Sequence, residues 1–401
     1  MTLRDESQSA ASPLPKPAGR DERLREIGFL RQALRRPELG AAAGCILVLI
    51  FFAIFAGDSG LFSARGVVNF LEVSAQLGIL AVAVALLMIG GEFDLSLGSM
   101  VAFAGVIIAI LSTQYGWPVW SCILVAFAAA IAVGYLNGWL VVKTGLPSFI
   151  VTLASLFILR GVTLGATRLI TGRTQIPGMK ELAAGDPLAP LFSGQFGGSV
   201  LVWLADAGVI NKRPDGLPEV QGIPVSILWW IVLTILGTWI LLQTRFGNWI
   251  FTVGGDANAA RNVGVPVAKV KIRLFILSAC AATLFAAIQV LSVGSADTSR
   301  GLQKEFEAII AVVIGGTLLT GGVGYVFGTV FGVLINGLIQ TLIIFNGQLS
   351  SWWTRIAIGA LTLIFIGVQS FFVSAQKRRS AVKLSRKERT AETPNVLAPA
   401  K

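Results

Sequence analysis

From Ala41 to Val373 the chain runs through apolar stretches near twenty residues long, and that recurrence leaves one architecture open. A helix needs about 20 apolar residues to cross the hydrocarbon core, and in lipid every backbone polar group must be satisfied by the protein itself. With 54% hydrophobic and only 13% charged residues, the chain is expected to be an all-α polytopic membrane protein. A soluble fold is excluded, and the alternating ten-residue strands of an outer-membrane barrel are absent. Ten segments are read, near 41–57, 67–90, 97–113, 118–142, 147–167, 223–243, 272–294, 306–318, 324–345 and 352–373. The 45 glycines suit helices that approach closely in lipid. Cys45, Cys122 and Cys280 lie inside apolar runs without CxxC spacing and read as small buried hydrophobes. The chain has no histidine, which argues against a zinc site, a His-based triad or a histidine proton relay. No metal site and no catalytic residue is expected.

An even number of segments puts both termini on one side of the membrane, and 22 of the 32 Lys and Arg fall on that side, which makes it the cytoplasmic one. The net charge of +11 is thus a topology signal and an attraction to anionic membrane lipid; no nucleic-acid partner is expected. Residues 1–39 read as a cytoplasmic tail without a cleavable signal peptide. In it Leu24, Ile27, Leu30 and Leu34 recur at helical spacing, as in an amphipathic helix on the inner membrane face. Residues 40–373 form the transmembrane domain, and 374–401 a basic cytoplasmic tail. Trp117, Trp120, Trp352 and Trp353 stand at outer boundaries and Trp249 near an inner one. The polar insertion 168–222 carries five prolines and reads as a structured outer loop or lid.

One apolar run breaks at Gly90-Gly91-Glu92-Phe93-Asp94 and resumes at Leu97. A carboxylate at bilayer depth costs about 2.5–3.5 kcal/mol on insertion scales, so such groups face protein, water or a transport path. Ala83 to Gly91 (AVALLMIGG) resembles Ala308 to Gly316 (AIIAVVIGG) at an offset of 225, a weak internal repeat that is parallel in this topology. Neither the 90–96 turn nor its counterpart 317–324 has a Lys or Arg. Both are expected to end inside the protein as broken helices. Asp94 or Ser96 is expected to cap the helix that follows. The candidates for a translocation path are Glu92, Asp94, Ser96, Asn137, Glu307 and Thr317. Glu72, Gln76, Arg160, Gln289, Asn336 and Gln340 read first as groups that bond across helices. Gly321-Gly322-Val323-Gly324 lacks the Gly-Lys-Ser/Thr of a phosphate loop, so this chain is not expected to bind ATP or any other cofactor.

The inner loop 254–266 holds a second constellation. Asp256 is placed as an N-cap, 257–263 as a short helix and Gly264 as its stop, with Pro266 beyond. A two-turn helix alone in a loop is not stable, which argues for docking onto another protein.

Taken with Asp94-Leu95-Ser96-Leu97-Gly98-Ser99, Asn137-Gly138, 147–153 (PSFIVTL), Arg160-Gly161, Gly254-Gly255 with Ala259-Ala260 and Gly264, and 308–317 (AIIAVVIGGT), the chain resembles the permease subunits of bacterial ATP-binding-cassette sugar importers of the ribose, xylose and arabinose type, over about residues 40–373. The resemblance implies an inner-membrane permease that pairs with a second permease copy as a homodimer. It also implies cytoplasmic ATP-binding subunits that hydrolyse the ATP and a periplasmic sugar-binding protein. Gly255, Asp256, Asn258, Ala259, Ala260 and Gly264 would form the coupling helix against the ATPase. Many members have Gly-Gly-Ile-Asp where this chain has Gly91-Glu92-Phe93-Asp94, so Glu92 is an added carboxylate, and the outer loop is longer than in the ribose type. The alternatives are an ion-coupled secondary transporter built on Glu92, Asp94 or Glu307, and a related permease for amino acids.

Overall fold

The computed structural model describes residues 37–55 and 57–346, with isolated positions between 353 and 367. The expected amphipathic helix of the N-terminal tail, most of the tenth apolar segment and the basic tail lie outside the described residues.

Helix α1 covers Pro37–Phe55 and α2 covers Ala64–Ile89. Ser63 starts α2, its hydroxyl accepting from the amide of Gly66 at 3.1 Å. From Leu77 to Ile89 every α2 residue is buried, as an all-round apolar run requires. Helices α3 (Leu97–Tyr115), α4 (Val119–Thr144) and α5 (Ser148–Thr171) follow with short turns. Gly145, at φ 68°, ends α4 in the left-handed conformation, and Pro147 presets the backbone just before α5.

The insertion 168–222 is folded. Strand β1 (Gln175–Ile176) pairs antiparallel with β4 (Ala296–Asp297), and β2 (Gln195–Phe196) pairs with β3 (Ile223–Pro224). Between them lie the short helices α6 (Met179–Ala184), α7 (Pro190–Ser193) and α8 (Gly198–Asp206). Asp186 fastens the insertion to the start of α4 by accepting from the Trp120 amide at 3.0 Å. The remaining helices are α9 (Val225–Gln243), α10 (Arg245–Gly255), α11 (Ala257–Asn262), α12 (Val267–Val293), α13 (Lys304–Ile314) and α14 (Val326–Asn346).

Among the described residues six helices, α2 to α5, α9 and α12, are long and apolar enough to cross a membrane. Helices α1 and α14 contain the shorter apolar stretches Gly40–Ile54 and Val326–Leu342. The segment expected over 306–318 is the eleven-residue α13, roughly 16 Å long, about half of what a bilayer needs. Ten full spans are therefore not what the described residues contain.

Helices α2 and α12 are 72% and 78% buried over their apolar windows and form the centre with α3; α5 is 22% buried. The outward residues of the peripheral helices, among them Leu136, Phe157, Ile158 and Trp239, are exposed and apolar, as a lipid-facing surface must be. Helix α4 lies tightly on α12 through Gly134 and Gly138, four residues apart. A side-chain carbon at either glycine would stand 2.7 Å from the backbone of Ile276 or Ile272. Such small-residue contacts let helices associate in lipid, where no hydrophobic force drives them together. Gln289 of α12 donates to Gln76 of α2 at 2.5 Å, one of the cross-helix bonds read from the sequence. Cys45, Cys122 and Cys280 are free thiols, the first two buried and the third half-buried.

Candidate functional site

The Gly-Gly ends of α2 and α13 have the same hydrogen bonds. Gly90, Gly91 and Glu92 donate to the carbonyls of Leu86, Met88 and Leu87; Gly315, Gly316 and Thr317 donate to Ala311, Val313 and Val312. The second glycine of each pair has a positive φ, 81° at Gly91 and 93° at Gly316, which turns the chain out of the helix. The two helix ends thus share one local turn.

Beyond Gly91 the chain is held extended by α5. The amide of Phe93 donates to Ser148 Oγ at 2.9 Å and that of Leu95 to Thr152 Oγ1 at 3.0 Å. Both hydroxyls come from the first turns of α5, so they satisfy backbone that a bilayer would leave bare. Asp94 is thereby aimed inward and is 5% exposed. Its Oδ1 accepts from the Ser96 amide at 2.9 Å and from Ser96 Oγ at 2.6 Å, and its Oδ2 accepts from Ser278 Oγ of α12 at 2.7 Å. Ser96 Oγ in turn accepts from Asn137 Nδ2 at 3.1 Å, and Asn137 Oδ1 accepts from Ser155 Oγ at 2.5 Å. Both oxygens of the carboxylate find donors, and through Ser96 and Asn137 the network joins the 92–96 turn, α4, α5 and α12, with the N-terminus of α3 directly after Asp94.

The expected cap is corrected by this geometry. Ser96 occupies the N-cap position of α3, yet its side chain makes no cap bond, because its hydroxyl is committed to Asp94 and Asn137. Asp94 reaches the Ser96 amide and none of the free amides of α3.

Glu92 is 5% exposed and ion-paired with Lys271 of α12. This pairing was not foreseen: Lys271 sits just before the run that starts at 272, where a lysine reads as a topology charge. Glu305 was also missed. It is 4% exposed, lies against Gly98 and feels the charge of Arg160. Thr317 is fully buried, and its hydroxyl has no hydrogen-bond partner. Glu307 is separate from the Asp94 cluster; it is half-buried and bonded to Lys304 and Gln340. Among the described residues no group of three or more His, Cys, Asp or Glu is placed to hold a metal ion.

The loop 254–266 folds as a capped short helix. Asp256 Oδ1 accepts from the amides of Asn258 at 2.8 Å and Ala259 at 3.0 Å, and α11 then runs to Asn262 with Gly264 beyond at φ 84°. Ala260 is fully buried against the body of the chain, whereas Asn258, Ala259 and Arg261 are exposed. Gly255 and Asp256 are exposed where α10 gives way to α11.

Three Gly-Gly pairs meet beneath the Asp94 turn: 90–91, 254–255 and 321–322. The amide of Gly322 donates to the carbonyl of Ile89 at 2.8 Å. A side-chain carbon at Gly254 would overlap the Ile89 carbonyl and stand 2.7 Å from the Gly322 amide nitrogen; one at Gly321 would stand 2.7 Å from the Gly91 Cα. Backbone therefore lies on backbone, and the end of α10 touches both broken tips at Gly254, two residues before the α11 cap.

Comparison with known proteins gives a consistent picture. The family described as branched-chain amino acid transport system / permease component matches residues 66–366. The chain is 34% identical to the inner membrane ABC transporter permease protein YjfF of Escherichia coli K12, over 85% of this chain and 94% of the relative. It is 31% identical to the xylose transport system permease protein XylH of the same organism, over 84% of this chain and 92% of the relative. With the ribose import permease protein RbsC, also from that organism, the identity is 32% over 81% and 92%.

Proposed function

The chain belongs to the permease subunits of ATP-binding-cassette transporters, multi-pass inner-membrane transport components rather than enzymes, and from that premise we propose that it imports a monosaccharide or related polyol. The named relatives that carry xylose and ribose support that cargo class. In this reading two copies pair, a periplasmic binding protein delivers the sugar, and both termini are cytoplasmic. A cytoplasmic ATPase seats on α11, and its closure alternates access to the two sides. The Asp94 cluster and Thr317 belong to the wall that moves, and Glu307 to the path itself. The family's description favours a second cargo reading, a branched-chain amino acid; uptake of labelled ribose or xylose against labelled leucine separates the two.

The observation that carries the proposal is the form of α11. Six residues cannot hold a helix by themselves. Here Asp256 caps the helix and Ala260 roots it, which leaves Asn258, Ala259 and Arg261 turned outward with no partner surface from their own helix. Ala259→Asp adds a charge to that outward face without touching the buried anchor. It is expected to lower uptake at least about tenfold, the effect of 1.4 kcal/mol lost at an interface, while the amount of protein in the membrane is unchanged and the co-purified ATPase falls. Wild-type uptake and ATPase recovery in this variant would overturn the docking role.

A further inference from the structure

Depth within the fold can be read along α3. Gly98, at its start, lies against both Gly301 and Glu305, and a side-chain carbon at Gly301 would stand 2.8 Å from Val101. Gly98 is 17 residues before Tyr115, the outer end of the helix, or about 26 Å along its axis at 1.5 Å per residue. The segment 298–303, which follows β4, therefore descends far below the outer end of α3 before α13 begins. It is not helical there, and Gln303 holds a φ of 67°, the one non-glycine positive φ among the described residues. Yet Ser299, Leu302, Gln303 and Phe306 are exposed.

The first turn of α13 has an ion pair at this depth. Lys304 Nζ meets Glu307 Oε2 at 2.5 Å, with 26% and 25% of the two side chains exposed. The same carboxylate oxygen accepts from Gln340 Nε2 of α14 at 3.2 Å, and Gln340 also donates to Asn336 Oδ1 at 2.5 Å. Asn336 is 2% exposed, and its Nδ2 has no hydrogen-bond partner. The neighbouring Gly337 lies on Ser74, ten residues inside α2, which sets α14 at bilayer depth here.

Lipid is a poor neighbour for such a face. Non-helical backbone at membrane depth is tolerated only where it is covered by protein or lines a water-filled cavity, and ionised groups there follow the same rule. The exposed residues of α5 and α9 that face lipid are apolar, whereas at 303–307 exposed Phe306 stands among the polar Gln303, Lys304 and Glu307. Lys304 and Glu307 pair at the partly exposed face while Glu305 is buried, and the amide, ammonium and carboxylate groups there together offer both donors and acceptors. That inventory suits a neutral polyhydroxylated molecule better than an ion.

We propose that Gln303, Lys304, Glu307 and Gln340, with the buried Asn336 holding Gln340 from behind, form the water-exposed wall of the translocation path and bond the hydroxyl groups of the passing cargo, an assignment that rests on the sugar-permease reading above.

Cysteine accessibility tests the assignment without knowledge of the cargo. Gln303→Cys, Glu307→Cys and Gln340→Cys are made in a chain whose Cys45, Cys122 and Cys280 are replaced by alanine, alongside the lipid-facing references Phe157→Cys and Trp239→Cys. Membranes that hold the assembled complex are treated with a charged, membrane-impermeant methanethiosulfonate. A thiol reacts as thiolate, which forms in water and not in lipid, so the three wall positions are expected to react at least about tenfold faster than the references. Reaction as slow as at 157 and 239 would overturn the proposal, whether lipid or a second copy of the chain covers the face. Should Glu307→Cys fail to accumulate, the other two positions decide. ATPase co-purification is measured in the same membranes, so an unreactive wall with the ATPase bound refutes the path assignment alone, and a lost ATPase speaks to the function instead.

Discussion

Gly254→Ala is expected to abolish uptake while the protein remains in the membrane. The added methyl group meets the Ile89 carbonyl and the Gly322 amide, both backbone, so no side chain can swing away to make room. Overpacking of this kind costs about 1–3 kcal/mol and sometimes more. At 3 kcal/mol an equilibrium between two conformations shifts by about two orders of magnitude, and uptake is expected to fall by about that factor. The junction joins the root of α11 to the tips that precede the Asp94 turn, so a change there breaks transmission rather than insertion. Gly165→Ala, in open space on α5, is the control and is expected to change uptake by less than about twofold, within the range of surface substitutions. Uptake by Gly254→Ala at the wild-type rate would remove the junction from the transport cycle.

Asp94→Ala is expected to cause the largest loss of stability of any single change in the cluster. It deprives the Ser96 amide, Ser96 Oγ and Ser278 Oγ of their common acceptor. Each buried donor left bare costs about 1–3 kcal/mol. Partial reorientation of the two hydroxyls limits the total to about 4 kcal/mol, already the upper range for one substitution. In detergent this corresponds to a fall in melting temperature on the order of 10 °C, which thermal-shift fluorimetry reads directly. Asp94→Asn keeps the volume and one carbonyl acceptor, and is expected to lie between the two. A melting temperature for Asp94→Ala within about 2 °C of the parent, less than about 1 kcal/mol, would show that the cluster does not hold the four segments together.

Local features of the chain were legible because local chemistry decides them. Asp256 followed by a short polar helix, Gly264 and Pro266 could only be read as a capped two-turn helix, and α11 ends within one residue of that expectation. The Gly-Gly ends of α2 and α13 were visible as breaks in apolar runs, and their shared hydrogen bonds follow from the same pair of residues. What escaped was long-range. Nothing near Glu92 in sequence indicates Lys271, and nothing near Asp94 indicates Ser278, 184 residues away. The meeting of three Gly-Gly pairs from distant segments has no periodic signature either. The segment read near 306–318 is shorter for a physical reason: apolar residues continue past Ile314, yet Gly315 and Gly316 end the helix, and of the helix before Ala308 only Glu305 is buried, while Lys304 and Glu307 pair with each other at a partly exposed face. Hydropathy alone reads such a half-helix as a span.

The proposal that this chain moves its cargo with energy taken from a partner ATPase is tested most directly by purification of the tagged protein from its native membranes in mild detergent, followed by reconstitution into liposomes. The account predicts that a cytoplasmic ATPase is recovered in roughly equal copy number, and that uptake of a labelled pentose requires ATP and the binding protein. Recovery of the chain alone, with flux driven by a proton or sodium gradient, would contradict it and assign the buried carboxylates to ion coupling.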